Sequence, residues 1–431
     1  MKRMFKLGAM VLASAFALSA CGGGDTAPAA GDGKGKESSE AGKSAATDLE
    51  TTIKILAPSY AETSKGDWEK IIAEFNKSYP KVKVELQIEG WEAFTSKVQA
   101  RIQAKDYPDI LNDNNYATMA AGGLLYPVEE VMSKETIDLI EPKLLENGKG
   151  SDGKLWAVPD IASARLMAYN TGIFEKAGIT EPPKTWDELT AAAKKIKDLN
   201  DGSYGYGLPL GEEEAQVETS LWLWGNGGEW GVDGKLTAKQ DKAVEAFKQM
   251  KMMIDEGLTQ PNVGSTNRQG AVDLFNNGKL GMLLMHTGVL TQTDKDFSDV
   301  KYKLAPVPSK DGKGVSYGVT DFIVAFNNQD EKRKEATKAF LDLMYSDKHY
   351  ESWYKGTGLM PVTKNMIKKA TADAGHFAPF YETLSSVSFQ PVGNPEWDTL
   401  QVALQKTAGK LENNSPEQVL DEIQAQLDAQ G

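Results

Sequence analysis

Residues 82–88 read Val-Lys-Val-Glu-Leu-Gln-Ile, apolar and polar in strict alternation, which is the period of a half-buried strand. Upstream, Ile53-Lys-Ile-Leu56 forms a shorter strand pattern. Between the two, Trp68, Ile71, Ile72 and Phe75 recur at helical spacing and fall on one face. Trp91, Phe94, Val98 and Ile102 repeat that spacing for a second helix, and Asp109-Ile-Leu111 supplies a third strand. This β-α-β-α-β order predicts a mostly parallel sheet covered by helices on both faces. Ligands of such sheets sit at the carboxyl ends of the strands. The rule points to Ser59 and Tyr60 after the first strand and to Asn112, Asp113, Asn114 and Asn115 after the third.

From Gly153 to Leu189 the pattern changes. Trp156, Val158, Ile161, Leu166, Met167 and Tyr169 suit a strand that crosses the molecule. Arg165 lies among them, and a lone cation in apolar company must either be paired in a salt bridge or face a polar cleft. Asn170-Thr171-Gly172 turns the chain, a short apolar helix stops at Gly178, and the spacing Thr185 to Glu188 is a capping box that opens a new helix. A second box, Thr237 to Gln240, predicts a helix burying Val244, Phe247, Met250 and Ile254 and ending at Gly257. A strand follows at Met282 to Met285, another at Phe322 to Phe326, a helix at Lys332 to Tyr345, and a last helix opened by Ser415-Pro416 with Gln418.

A chain of 431 residues is long for one core and suggests two globular units. Acidic residues outnumber basic ones 61 to 48, for a formal charge of −13, which disfavours nucleic acid as a partner. The N-terminus carries Lys2, Arg3 and Lys6 and then an apolar run from Leu7 to Leu18, too short for a permanent membrane span and typical of an export signal. It ends at Leu18-Ser19-Ala20-Cys21, which resembles a bacterial lipoprotein cleavage box. Cys21 is the one cysteine, so acylation would leave no thiol for a disulfide framework. Residues from Gly22 to about Glu50 are too poor in bulky apolar side chains to offset their ordering entropy and read as a flexible tether.

Little in the sequence points to catalysis. Gly314-Val-Ser316-Tyr-Gly318 has the spacing of a hydrolase nucleophile, yet a Pro, Lys and Gly loop precedes it and an apolar strand follows, the reverse of the strand-to-helix setting that chemistry needs. It reads as a turn entering a strand. Three histidines, His286, His349 and His376, and no paired cysteines predict no metal site and no cofactor. A pair of carboxylates, Asp113 with Asp321, is the one arrangement that could serve glycoside hydrolysis. Nine tryptophans suit sugar better: the C–H face of a sugar packs on aromatic rings while its hydroxyls need directed polar groups. Trp68, Trp91, Trp186 and Trp353 sit at amphipathic or capping positions and are assigned to the core. Trp222 and Trp224 share a face if their stretch is extended and part if it is helical. Trp397 follows Gly393-Asn-Pro395 near the C-terminus.

Three words, Gly153-Lys-Leu-Trp-Ala-Val-Pro159, Tyr169-Asn170 and Pro183-Lys-Thr-Trp-Asp-Glu-Leu189, with their order along the chain from about Ile53 onward, resemble the carbohydrate-binding extracellular solute-binding proteins of ATP-driven importers, the maltodextrin-binding kind. The resemblance implies an α/β, two-lobed periplasmic-binding-protein-like fold of type II, each lobe a mostly parallel sheet flanked by helices. Residues 1–20 would be the lipoprotein signal and 21–50 the lipidated tether. The N-terminal lobe would comprise 51–168 and 315–372, the C-terminal lobe 169–314 and 373–431, with crossings in the Arg165 strand, at Gly318 to Phe326 and after Gly358-Leu-Met-Pro361. Such lobes close by hinge rotation. The implied partners are an oligosaccharide, an ABC permease with its ATPase, and the membrane through the lipid on Cys21; a monomer is expected. The implied ligand contacts are Tyr60, Asn112, Asp113, Asn115, Arg165, Trp222, Trp224, His286, Asp321 and Trp397. Gly211-Glu-Glu-Glu214 lines up with a cleft-edge segment of that family, but without the aromatic residue expected there. Other cargoes, a peptide, polyamine or glycerol phosphoester, remain alternatives; a phosphate would need a cluster of basic residues, and only Arg165 is obvious.

Overall fold

A computed structural model describes residues 48–429 except 233–234 and 385–386. The expected signal segment, Cys21 and the tether up to residue 47 lie outside the described residues. The first elements follow the hydrophobic pattern: strand β1 (Thr51–Pro58), helix α1 (Ser64–Ser78), strand β2 (Val82–Glu89), helix α2 (Trp91–Ala104) and strand β3 (Ile110–Asp113). β1 is parallel to β2, with Thr51 opposite Val82, and parallel to β3 on its other side. α1 buries Trp68, Ile71 and Phe75, and the Trp68 ring stacks over Phe340.

The expected single crossing strand is two strands, β4 (Val158–Ala164) and β5 (Leu166–Asn170), parted by Arg165. Then come helices α3 (Thr171–Lys176) and α4 (Trp186–Lys197), strand β6 (Tyr204–Tyr206), and helices α5 (Ala215–Gly225), α6 (Asp241–Asp255) and α7 (Arg268–Asn276). Strand β7 (Leu280–Met285), helix α8 (Thr287–Asp296), strand β8 (Tyr302–Ala305), strand β9 (Tyr317–Ala325), and helices α9 (Glu331–Met344) and α10 (Asp347–Thr357) follow. The chain ends with strand β10 (Ser388–Phe389) and helices α11 (Glu396–Thr407) and α12 (Pro416–Asp428). Both halves of the capping box form at α4 and at α12.

Two main sheets result. The first has the order β10-β9-β3-β1-β2, with β4 also pairing with β9; the second has the order β8-β5-β7-β6. The first is parallel across β2, β1 and β3, while β9 runs antiparallel to β3 and to β4. The second differs from the mostly parallel sheet expected: β5 is antiparallel to both neighbours, and only β6 and β7 are parallel. The reason is directional. β5 enters from the other sheet with its course already set, so it does not acquire neighbours by a returning crossover helix.

Two further expectations change. The box at Thr237 does not cap a helix: the Thr237 hydroxyl donates to Gln424 Oε1 at 3.0 Å, and α6 starts at Asp241, turning Ala243, Ala246, Phe247, Met250 and Met253 inward while Val244 and Ile254 are only partly buried. Gly257, with φ of 61°, ends the chain's run past α6 in the left-handed region. The chain also stays with the first sheet past Pro361. Met360 exchanges backbone hydrogen bonds with Ala162 at 2.8 and 2.9 Å, and β10 still pairs with β9. α9 is held to the same sheet by Arg333, whose Nε and Nη2 each donate to the buried Asp109 carboxylate at 2.8 Å.

Candidate binding site at the junction of the two sheets

The sheets meet at Arg165. Its amide donates to Tyr317 O at 2.9 Å, and Ser316 Oγ donates to its carbonyl at 3.0 Å, so the two connecting segments are laced together. Ser316 is thereby occupied at the entry to β9, in the turn-into-strand setting read from the sequence. The Arg165 guanidinium is buried and pairs with Glu214, while its Nη1 lies 3.4 Å from Ser163 Oγ. Arg268 Nε lies 2.7 Å from Glu214 Oε2 as an ion pair without the alignment of a hydrogen bond, and Arg268 Nη2 donates to Glu213 Oε1 at 3.0 Å. Burial alone would raise the Glu214 carboxyl, but Arg165 and Arg268 together outweigh it and hold it below its ordinary value.

Arg268 completes the network on His286, the residue that opens α8. Its Nη1 stands 3.1 Å from His286 Nε2. Arginine only donates, so Nε2 accepts and the ring proton sits on Nδ1. Burial, then Arg165 and Arg268, push the imidazole well below its ordinary pKa and keep it neutral. Nδ1 is buried without a hydrogen-bond partner, leaving one donor to offer.

The first sheet contributes the other half. Tyr60 lies two residues past β1, and its hydroxyl donates to Asn112 Oδ1 at 3.2 Å; Asn112 Nδ2 donates to Phe322 O at 3.0 Å. Asp113, at the carboxyl end of β3, accepts from the amides of Asn114 at 2.7 Å and Asn115 at 3.3 Å. Asp321 on β9 is buried, with Oδ1 unpartnered. Burial, above all, raises Asp113 to about 7 and Asp321 to about 6; the Tyr60 hydroxyl and Arg165 partly offset the rise at Asp321. Asp160 is fully buried, with Oδ1 receiving Trp353 Nε1 at 2.8 Å, and burial drives it well above the carboxylate range.

The aromatic residues divide. Because their stretch is helical, Trp222 and Trp224 part company. Trp222 packs on Trp186 and Tyr206 at 5.2 and 5.9 Å, within the second sheet's core. Trp224 stacks on Tyr317, rings 5.2 Å apart at 28°. Tyr60 meets Trp91 edge to face at 5.6 Å. Trp397 is fully buried on α11, in the same core cluster as Leu400 and Leu404, and its neighbour Asp398, half-buried, takes the Thr118 hydroxyl. Of the ten expected contacts, Arg165 and His286 lie in the charged network with Glu213, Glu214 and Arg268, Tyr60 and Asn112 share a hydrogen bond, Asp113 holds the amide of Asn115, Asp321 is buried on β9, Trp224 stacks on Tyr317, and Trp222 and Trp397 pack in the core.

Arg268, Glu213, Glu214, Tyr317 and Asp398 were not among the expected contacts. Arg268 carried a signal: it sits in the first turn of α7, where the helix dipole disfavours a cation, so some other charge had to hold it there.

The sequence matches the family described as bacterial extracellular solute-binding protein over residues 59–351. It is 31% identical over 391 residues to a binding protein of Brucella abortus (strain 2308), covering 88% of this chain and 92% of that one. It is 26% identical over 363 residues to the diacetylchitobiose binding protein DasA of Streptomyces coelicolor, covering 79% and 81%. It is also 27% identical over 321 residues to the sn-glycerol-3-phosphate-binding periplasmic protein UgpB of Brucella melitensis, covering 68% of each. Among solved structures, the solute-binding protein from Thermotoga lettingae bound with α-D-tagatose superposes with a TM-score of 0.76 at 23% identity, covering 88% of this chain and 99% of that one, which supports the two-lobed binding-protein fold.

Proposed function

Because this chain belongs to the bacterial extracellular solute-binding proteins, we propose that it is a lipid-anchored receptor that captures an oligosaccharide between two lobes and hands it to an ABC permease and its ATPase. The lobes would be built around the two sheets, with Arg165, the segment before β9 and the segment after β10 as connections. The observation that carries the carbohydrate reading is the polar network at the junction: Asn112, Asp113, Asp321 and the His286 Nδ1–H offer directed acceptors and a donor, beside the rings of Tyr60, Trp91, Trp224 and Tyr317. Sugars need that mixture. Contacts made to both lobes at once would favour the closed form by differential affinity.

A glycerol phosphoester, the cargo named for one relative, fits less well. A phosphate wants uncommitted cations, and both arginines at the junction are already held by Glu213 and Glu214. The relative named for diacetylchitobiose and the tagatose-bound structure agree with a sugar cargo. Membrane attachment rests on the Leu18-Ser19-Ala20-Cys21 box, since two acyl chains suffice for a lasting anchor.

The test is a titration with mono- and oligosaccharides, peptides and glycerol phosphoesters, read by tryptophan fluorescence and thermal melting, since a ligand of the folded state must raise the melting temperature. A saturable response to a sugar supports the receptor. A response only to phosphoesters or peptides overturns the carbohydrate reading, and release of cleaved sugar at enzyme-like rates overturns the receptor in favour of a glycosidase built on Asp113 and Asp321.

A further inference from the structure

Helix α8 leaves the junction at His286 and meets the body of the first sheet at both of its ends. At its start the Thr287 hydroxyl donates to Gly358 O, just past α10, at 3.1 Å. Further on, roughly 12 Å along the helix from His286 at about 1.5 Å per residue, Asp294 gathers a cluster of side chains. Its Oδ1 accepts the Tyr302 hydroxyl of β8 at 2.8 Å, its Oδ2 lies 2.9 Å from His376 Nε2, and that nitrogen stands 3.3 Å from the Tyr302 oxygen. The partners belong to different bodies. α8 and Tyr302 are fixed to the second sheet's side, Thr293 Oγ1 donating to Asn276 Oδ1 at 3.0 Å and Tyr302 meeting Phe275 edge to face. His376, in the 3-10 turn Gly375–Phe377, follows the helix Lys364–Asp373, which is tied to α10 by Lys369 on Glu351 at 2.6 Å and Asn365 on Asp347 at 3.2 Å. α10 in turn holds Asp160 of β4 through Trp353.

A carboxylate only accepts, so Nε2 carries a proton and donates to Asp294 whether the imidazole is neutral or charged, and Nδ1 is left to take up the second proton. Among the described residues, Asp294 from α8 and Tyr302 from β8 are the titratable groups that reach the ring, and the Phe377 ring lies 4.1 Å from it. Burial and then Asp294 hold the Tyr302 phenol above its ordinary value, so it stays a donor. We propose that Asp294, Tyr302 and His376 form a clasp across the two lobes, remote from the cargo site, that holds them in the arrangement seen here and tightens when His376 is protonated. Protonation adds an ion pair to a hydrogen bond already made, and histidine is the side chain that changes charge between about pH 5 and 8. His376 and Asp294 are 59% and 37% exposed, so the gain is that of a surface pair, a few-fold bias on a hinge equilibrium. For a receptor outside the cytoplasm, the clasp would tie lobe rotation to ambient pH. This inference rests on the two-lobed reading and not on the identity of the cargo.

The experiment is solution X-ray scattering from the purified full chain without ligand, in about 0.15 M salt at pH 8 and pH 5.5, each curve fitted as a mixture of the clasped arrangement and one rotated about the connections. In the wild type the ratio of clasped to rotated molecules should rise roughly two- to fivefold at the lower pH, the range that a surface ion pair supports. In about 1 M salt the rise should shrink. His376→Gln keeps a neutral donor and Asp294→Asn removes the charge; each, checked for folding by thermal melting, should lose the rise. A wild-type ratio that does not move with pH, or a rise that survives in both variants, overturns the clasp. Neither result touches the carbohydrate reading, which the sugar titration tests separately.

Discussion

The indole of Trp224, on α5 beside the second sheet, stacks on the phenol of Tyr317, the first residue of β9 in the first sheet, with ring centroids 5.2 Å apart. Both are buried, so the pair is a contact between the two sheet systems and not a surface ornament. Its position one residue from the Ser316 to Arg165 hydrogen bond places an apolar brace beside the laced connections.

Replacing Trp224 with Ala should therefore destabilise the ligand-free protein by about 3 kcal/mol, from lost burial and the cavity left behind. Trp224→Phe keeps a ring and should cost about 1 kcal/mol, the scale of the aromatic pairing itself. Urea unfolding separates the two. If both variants unfold at the wild-type midpoint, Trp224 is no brace.

Arg268 holds three groups, Glu213, Glu214 and His286, while being about one-fifth exposed. Arg268→Met keeps volume and removes the charge, leaving Glu214 with Arg165 alone. The loss at pH 7 should be about 1–3 kcal/mol, less than for a fully buried pair because solvent screens it. Glu214 is held below its ordinary pKa, so the stability it contributes is present above the carboxylate range and is lost as pH falls through its folded value. The gap between wild type and Arg268→Met should accordingly narrow as the pH is lowered towards 3. A gap that stays constant with pH would point to lost packing instead.

The first three strands and their helices were readable because periods of 2 and 3.6 are written in adjacent residues, and the boxes at Thr185 and Ser415 because a cap is a local spacing. Thr237 misled for a physical reason: its hydroxyl had a partner 187 residues away, Gln424, which competes with the cap. The junction was half legible. Tyr60, Asn112 and Asp113 follow from the rule for strand ends, and Arg165 from being a cation among apolar neighbours. Asp398 owes its place to pairing with Thr118, 280 residues away, which no local pattern records, whereas Arg268 left only the local hint of a cation in the first turn of a helix. Trp397 shows the converse, since an aromatic residue after a Gly-Asn-Pro turn suits a helix core as well as a cleft.

The lipid anchor proposed for Cys21 predicts a change of compartment. In its bacterial host, Cys21→Ser should move the protein from the membrane fraction to the soluble extracytoplasmic fraction or the medium, because a single position supplies the acyl attachment. Fractionation with immunoblotting checks it. Unchanged membrane association would mean that another segment holds the protein there.

The acidic groups of the junction predict an unusual pH profile. Asp113 is raised to about 7, Asp321 to about 6 and Glu218 to about 8, each chiefly by burial. In the unfolded chain such carboxyls titrate near 4. Between those values the folded protein binds more protons than the unfolded one, so stability falls as pH rises, and the full cost is present once pH exceeds the folded values. The ligand-free protein should thus be more stable near pH 5.5 than at pH 8. For Asp321 the step from 3.8 to about 6 converts to roughly 3 kcal/mol at about 1.36 kcal/mol per pH unit, an upper figure for a site that can relax. Asp321→Asn carries no charge and should recover up to that cost at pH 8 but only about half of it at pH 5, where the unfolded carboxyl has already lost its proton, flattening the profile measured by urea unfolding at both values. A wild type equally stable at both pH values, with Asp321→Asn no better at pH 8, would mean that these carboxylates are solvated when the site is empty. The expected outcome would mean that the empty junction is held at a cost in stability, the trade a binding site makes when its charges are arranged for a ligand rather than for the fold.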